Sequence, residues 1–138
     1  MYYINTIMKN NLFKIMEYSY YLSLIILFVI YLFPGSLIGY LLYGSLWQQP
    51  DFIQNPFGTS INHLIFFSFI TILIIIIRSR VKNIFTSYKF ILFISCFFEI
   101  LHLIIPNRAF EFYDLLANIS GITLVLLVNS FLKWQKYI

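Results

Sequence analysis

The sequence predicts an all-α membrane protein, a bundle of four transmembrane helices in a single domain spanning residues 1–138. Three observations carry that prediction. Apolar residues make up 61% of the 138-residue chain and charged residues only 10%. The mean hydropathy is +0.86, and a domain of this length has no core large enough to hide so much apolar surface from water. The apolar residues also fall into four runs divided by short polar connections.

A spanning helix needs about 20 mostly apolar residues, with a range of about 17 to 25. The first run covers residues 19–33 and extends back towards residue 12, ending where Pro34-Gly35 breaks the helix. SLIGYLLYGSLW (36–47) is apolar but too short to cross, and predicts an interfacial or partly re-entrant helix. QQPDFIQNPFGTS (48–60) carries Pro, Asp, Asn and Gly and predicts a loop. The second span is residues 61–77, stopped by the basic stretch RSRVKNIFTSYK. The third is 90–105, the connection PNRAFE covers 106–111, and the fourth span is 112–132.

Basic residues set the orientation. Lys9 and Lys14 precede the first span, Arg78, Arg80, Lys82 and Lys89 lie between the second and third, and Lys133 and Lys136 follow the fourth. Eight of the nine therefore share one side, and Arg108 alone sits on the other. By the positive-inside rule both termini are cytoplasmic, and the turn around Arg108 faces outward with the loop at 48–60. This topology fits a multi-pass integral membrane protein, with membrane lipids as its surroundings and homo- or hetero-oligomers open to it. The first apolar run begins near residue 18 with no small-residue cleavage pattern after it, so the first span is expected to be retained.

The net charge of +4 does not point to nucleic acid, because the basic residues lie at span ends without an aromatic-interleaved basic face. The single cysteine, Cys96, lies in an apolar run and predicts a small hydrophobe rather than a disulfide. The tyrosines at 2, 3, 18, 20, 21 and 31 are assigned to packing and the interfacial belt.

Polar chemistry concentrates between the third and fourth spans, where three of the five acidic residues fall: Glu99, Glu111 and Asp114. Glu99 and His102 share a helix face at i, i+3, and Asp114, Asn118 and Gly121 share one on the next helix. The short connection makes these helices antiparallel neighbours, with Glu99 about 9 Å from the end of its span at 1.5 Å per residue. The two polar faces are thus expected to meet, and His63 at the start of the second span is placed to join them. A lipid-facing carboxylate costs about 2.5 to 3.5 kcal/mol at the bilayer centre, so such acids turn inward and pair. Arg108 is the expected partner of Glu99 or Asp114. Glu111 is expected to be solvated, and Gly121 to allow close helix packing.

Glu-x-x-His is a ligand spacing known in bundles, and His63 with Asp114 would complete a metal set. Only one such motif exists, so neither metal nor cofactor is expected. No Ser stands in a nucleophile elbow, and Ser120 faces no identifiable base. The remaining readings are a site that binds an anion or moves protons, a non-catalytic scaffold or accessory subunit glued by its polar groups, and a small proton-coupled transporter.

The order E-x-x-H-L-I-I-P-N-R-x-F-x-x-x-D-L-L-A-N-I-S-G, from Glu99 to Gly121, resembles the signature of VanZ-like membrane proteins. That pattern runs Glu, Gln three later, Pro-Gly-Arg, then Asp, Asn and Gly along the next helix. NHLIFF (62–67) is similar to the family's His-Phe opening of the second span, and FPGS (33–36) sits where its first span ends. The resemblance implies that Glu99, Arg108, Asp114, Asn118, Gly121 and His63 occupy the family's polar positions. Residue chemistry assigns the roles at an outward-facing site: Arg108, Asn118 and His63 are expected to bind an anionic lipid-linked or envelope ligand, and Glu99, Asp114 and His102 are the catalytic candidates. The resemblance supplies no mechanism; it implies a protein of the bacterial cytoplasmic membrane and a link to low-level glycopeptide (teicoplanin-type) resistance. His102 stands where the family has Gln, and Thr59-Ser60 where many members have Asp-Lys.

Overall fold

The computed structural model describes residues 2–50 and 58–137, and among them every regular element is helical. In chain order these are α1 (Tyr2–Leu32), α2 (Leu37–Tyr43), α3 (Ser60–Ile77), α4 (Tyr88–Leu101) and α5 (Phe112–Trp134), with a short 3₁₀ turn at Gln135–Tyr137. Most of the loop expected at 48–60 lies outside the described residues.

Among the described residues three helices are long and apolar, where the sequence predicts four spans. Met8–Leu32, Ser60–Ile77 and Phe112–Trp134 are long and apolar enough to cross a membrane. The segment expected as the third span forms a helix of only 14 residues, about 21 Å at 1.5 Å per residue against a hydrocarbon core of about 30 Å. Pro106 is the physical reason, since it lacks an amide hydrogen and disfavours helical geometry in the residue before it. The apolar residues after Leu101 wind as tight turns, with Leu103 N–H donating to Ile100 O at 3.1 Å and Ile104 N–H to Leu101 O at 3.0 Å.

α1 ends at Pro34-Gly35, where Gly35 takes a φ of 96°. α2 follows at once, capped by Ser36 Oγ accepting from Gly39 N–H at 2.9 Å. Its seven residues end at Gly44, whose φ is 68°. The chain then doubles back: Ser36 N–H donates to Leu46 O at 2.7 Å. A Cβ on Gly39 would lie 1.7 Å from Gln48 O, so only glycine permits the return.

Helical spacing builds the core. Tyr20, Leu24, Leu27 and Tyr31 form one buried stripe on α1, and Phe67, Ile70, Ile74 and Ile77 form another on α3. Ile91, Ile94 and Phe98 of α4 and Ile122 of α5 close the cluster. Large apolar residues such as Ile25, Val29, Phe69, Ile72, Leu127 and Phe131 point outward, as a lipid-facing surface requires.

α3 and α5 approach closely at Gly121. A Cβ there would sit 2.5 Å from Leu64 O and 3.1 Å from Ser68 N, and Ser68 Oγ donates to Gly121 O at 3.3 Å. The expectation of close packing at Gly121 therefore holds. Small residues at helix crossings supply packing contact where lipid removes most hydrophobic drive.

Candidate functional site

One end of the bundle gathers polar side chains from α1, α3, α4 and α5. Glu99 and Asn118 are 0% exposed, and Asp114 and His102 are 3% exposed. Such groups are found buried only where hydrogen bonds or opposite charge compensate the lost hydration. The compensation here is largely mutual.

Asp114 lies in the first turn of α5, where unpaired helix amides favour a carboxylate. Its Oδ1 accepts from Ser60 Oγ at the start of α3, and its Oδ2 lies 3.3 Å from His63 Nε2. One turn along α5, Asn118 Nδ2 donates to Ser95 O at 3.4 Å, which turns its Oδ1 towards α1 and α3. That oxygen accepts from the Tyr31 hydroxyl at 3.2 Å and lies 3.2 Å from His63 Nδ1. Tyr31 Oη and His63 Nδ1 are 2.7 Å apart. On α4, Glu99 Oε1 accepts from the backbone N–H of Glu111 at 3.1 Å and lies 3.4 Å from His102 Nδ1. The His102 ring stacks on Tyr31 with centroids 5.3 Å apart and planes 18° from parallel.

The residues expected to meet do meet: Glu99, His102, Asp114, Asn118 and His63 form one cluster. The expected pairing of Arg108 with an acid is replaced by a different one. Its Nη2 donates to Ile30 O at 2.7 Å and its Nε to Phe33 O at 3.4 Å. A helix leaves its last carbonyls without intrahelical partners and carries partial negative charge there, so the guanidinium caps α1. Among the described residues, each buried acid lies beside a histidine, Asp114 beside His63 and Glu99 beside His102. Burial lowers the Arg108 pKa from its ordinary value, while Tyr31, Glu99 and Asp114 pull it back up. Glu111 is exposed as expected, yet its carboxyl is shifted up, first by desolvation and then by the charges of Asp114 and Glu99.

Two site residues escaped sequence reasoning. The sequence places Tyr31 with the packing and belt tyrosines, yet it touches Asn118, His63 and His102. Its place in the 20, 24, 27, 31 stripe signals that it faces inward. Ser60 carries no comparable signal, because a Ser at a helix start reads first as a cap.

Beside this cluster lies a half-open cavity of about 520 Å³ between α1, α2, α3 and the turn after α4. Leu27, Ile30, Ile65, Phe66 and Phe69 make its walls apolar, and Tyr31, Asn62, His63, His102 and Arg108 supply its polar atoms. Among the described residues, His102 Nε2 and Glu99 Oε2 are buried without a hydrogen-bond partner. Comparison with protein-family models, curated proteins and solved structures finds no match to this chain. What the site does therefore rests on its own chemistry.

Proposed function

We propose that this chain is a VanZ-like integral membrane protein that binds or acts on an amphiphile with an anionic headgroup, a lipid-linked or cell-envelope ligand at the outer leaflet. The observation that carries this reading is the cavity. Its apolar walls suit an acyl or isoprenyl chain, and its polar end presents Arg108 and the unpartnered His102 Nε2. Two guanidinium N–H groups are engaged at α1, which fixes the arginine's position and leaves other donors for a phosphate or carboxylate. Glu99, Asp114 and His63 stand behind that headgroup position as groups able to move protons. The resemblance adds a link to teicoplanin-type resistance.

The proposed topology has four crossings with both termini cytoplasmic, in the bacterial cytoplasmic membrane. Although α4 is short, it begins beside the end of α3, where the Arg78 guanidinium lies 4.5 Å from the centre of the Tyr88 ring. It ends at the level of His63, near the start of α3, so it covers nearly the same depth. On a Cys96→Ser background, a Cys at Ala109 is expected to react with an impermeant thiol reagent from outside, and one at Lys82 to be protected. The reverse pattern would overturn the orientation.

The ligand test is native mass spectrometry on the detergent-purified chain, offered a polyprenyl phosphate or the matching polyprenol. Wild type is expected to retain the phosphate at least about tenfold better, a difference of about 1.4 kcal/mol. Arg108→Gln should remove that preference. Equal retention of both lipids by wild type would sink the proposal.

A further inference from the structure

Proton movement is not the only chemistry that the two buried acids and His63 allow. His63, Glu99 and Asp114 each offer a ligand atom, and these atoms lie within 4.8 Å of one another. We propose that these three residues form a binding site for a divalent transition-metal cation of the zinc type. The site shares His63 with the lining of the amphiphile cavity and does not depend on a ligand there.

The tautomer of His63 is the first argument. Asn118 Nδ2 donates to Ser95 O, so Asn118 presents its carbonyl oxygen, an acceptor only, to His63 Nδ1 and Tyr31 Oη. Tyr31 O–H donates to that oxygen, and the remaining neighbour of His63 Nδ1 is then Tyr31 Oη at 2.7 Å, with a lone pair to offer. Both surroundings of Nδ1 are acceptors, so Nδ1 carries the hydrogen. Nε2 of the neutral ring then points a lone pair at Asp114 Oδ2, 3.3 Å away. Two lone pairs at that distance need a cation between them. Histidine ligands to metals are typically held in this way, donating from the other ring nitrogen to an oxygen.

A proton on His63 would meet that need for Asp114 alone. The partnerless oxygen of Glu99 is the second argument, and it points beyond a proton on His63. Glu99 is 0% exposed, and its Oε2 has no hydrogen-bond partner among the described residues. His102 can donate one N–H to Glu99 from Nδ1, but charging that ring would also bury an N–H at Nε2, where no described acceptor lies. A divalent ion would give Glu99 Oε2 the partner it lacks, and Arg108, bonded to carbonyls, does not supply one.

Geometry is the third argument. Zinc bonds to nitrogen and oxygen are about 2.0 to 2.2 Å, so tetrahedral neighbours lie about 3.3 Å apart. The His63–Asp114 pair already has this separation. Glu99 has to close from its wider spacing, and it has the longest and most flexible side chain of the three. It sits where α4 gives way to turns. Ser60 on Asp114 and Glu111 N–H on Glu99 are the outer partners such carboxylates normally have.

The test is zinc titration of the full chain without a histidine tag, stripped with chelator in detergent and free of added lipid. One saturable equivalent is expected. Asp114→Asn and His63→Gln should each weaken binding by more than about tenfold, and His102→Gln should not. Because Arg108→Gln and polyprenyl phosphate play no part, failure here and failure of the amphiphile reading are separable. No saturable binding by folded wild type would overturn the site, as would binding lost in His102→Gln but kept in His63→Gln. Should a His63 or Asp114 variant not fold, cobalt substitution in wild type decides: visible bands of a low-symmetry nitrogen–oxygen site support the proposal, and a spectrum of hydrated cobalt overturns it.

Discussion

The two ends of the bundle handle polar groups in opposite ways. At the end that holds the loop between α3 and α4, the charges stay at the surface and make exposed contacts to α1. Arg80 donates to Asn10 Oδ1 at 2.8 Å and lies over the Phe13 ring, and Asn83 Nδ2 donates to the Tyr21 hydroxyl at 3.0 Å. At the other end, groups from four helices are buried against one another. Surface charges at span ends set orientation and snorkel to water, and any one of them is replaceable. Buried charges on separate helices fix those helices relative to each other, and no single one can be removed without leaving another unsatisfied. The contrast separates what positions the chain in a membrane from what makes a site.

The largest expected effect comes where the site end depends on close backbone approach. Gly121→Val would drive a branched side chain into Leu64 O and Ser68, both backbone-anchored neighbours. Loss of the monodisperse folded protein in size-exclusion chromatography is the expected outcome. Gly121→Ala is expected to destabilise by about 1 to 3 kcal/mol, the usual range for overpacking, read as a lowered Tm in detergent. A Gly121→Ala protein as stable as wild type would show that α3 and α5 can separate freely, and the site end would be less rigid than described.

Next in size is the cap on α1. Arg108→Ala leaves the Ile30 and Phe33 carbonyls without their donor, and hydrogen bonds involving a charged group contribute about 1.5 to 3 kcal/mol. Arg108→Lys should recover only part, because an ammonium cannot reproduce a planar fork reaching two carbonyls. The Tm order wild type, Lys, Ala checks this. Equal values for Lys and Ala would mean that geometry carries all of the contribution.

Tyr31→Phe comes third. It removes the hydroxyl shared by His63 and Asn118 while keeping the ring stack on His102. Loss of a neutral hydrogen bond costs about 0.5 to 1.5 kcal/mol. His63 Nδ1 keeps Asn118 Oδ1 within 3.2 Å, which argues for the lower end. Thermal unfolding measures it, and a shift larger than that of Arg108→Ala would place Tyr31 rather than Arg108 at the centre of the network.

How far the sequence reveals this asymmetry depends on which physical rule dominates locally. Helical spacing, antiparallel connection and the cost of charge in lipid suffice to bring Glu99, His102, Asp114, Asn118 and His63 to one place. The same rules say nothing about Tyr31, because a tyrosine near a span end is ordinary in a chain with 11 of them. Charge counting pairs Arg108 with an acid, since it ignores backbone carbonyls. Those carbonyls are the competitor that wins, and a helix ending at Pro34 places them within reach. Counting apolar residues likewise overstates α4, because hydropathy does not distinguish a helix from turns wound ahead of a proline. The chain between 33 and 48 is legible as a break and a short helix, but its doubling back depends on the absence of a Cβ at Gly39, which only the packing reveals.

The smallest effect belongs to the opposite end and sharpens the contrast most. Arg80→Ala removes an exposed hydrogen bond to Asn10 and a contact over the Phe13 ring at 4.6 Å. Exposed polar pairs contribute about 0 to 1 kcal/mol because water replaces each partner and long side chains lose entropy in holding one geometry. The stability of Arg80→Ala, read from its Tm, is therefore expected to stay within about 0.5 kcal/mol of wild type, the usual range for a surface substitution. Arg78, Lys82 and Lys89 remain on the same side, so the orientation bias also survives. A drop as large as that of Arg108→Ala would mean that the exposed end also locks its helices. The division between a positioning end and a site end would then fail.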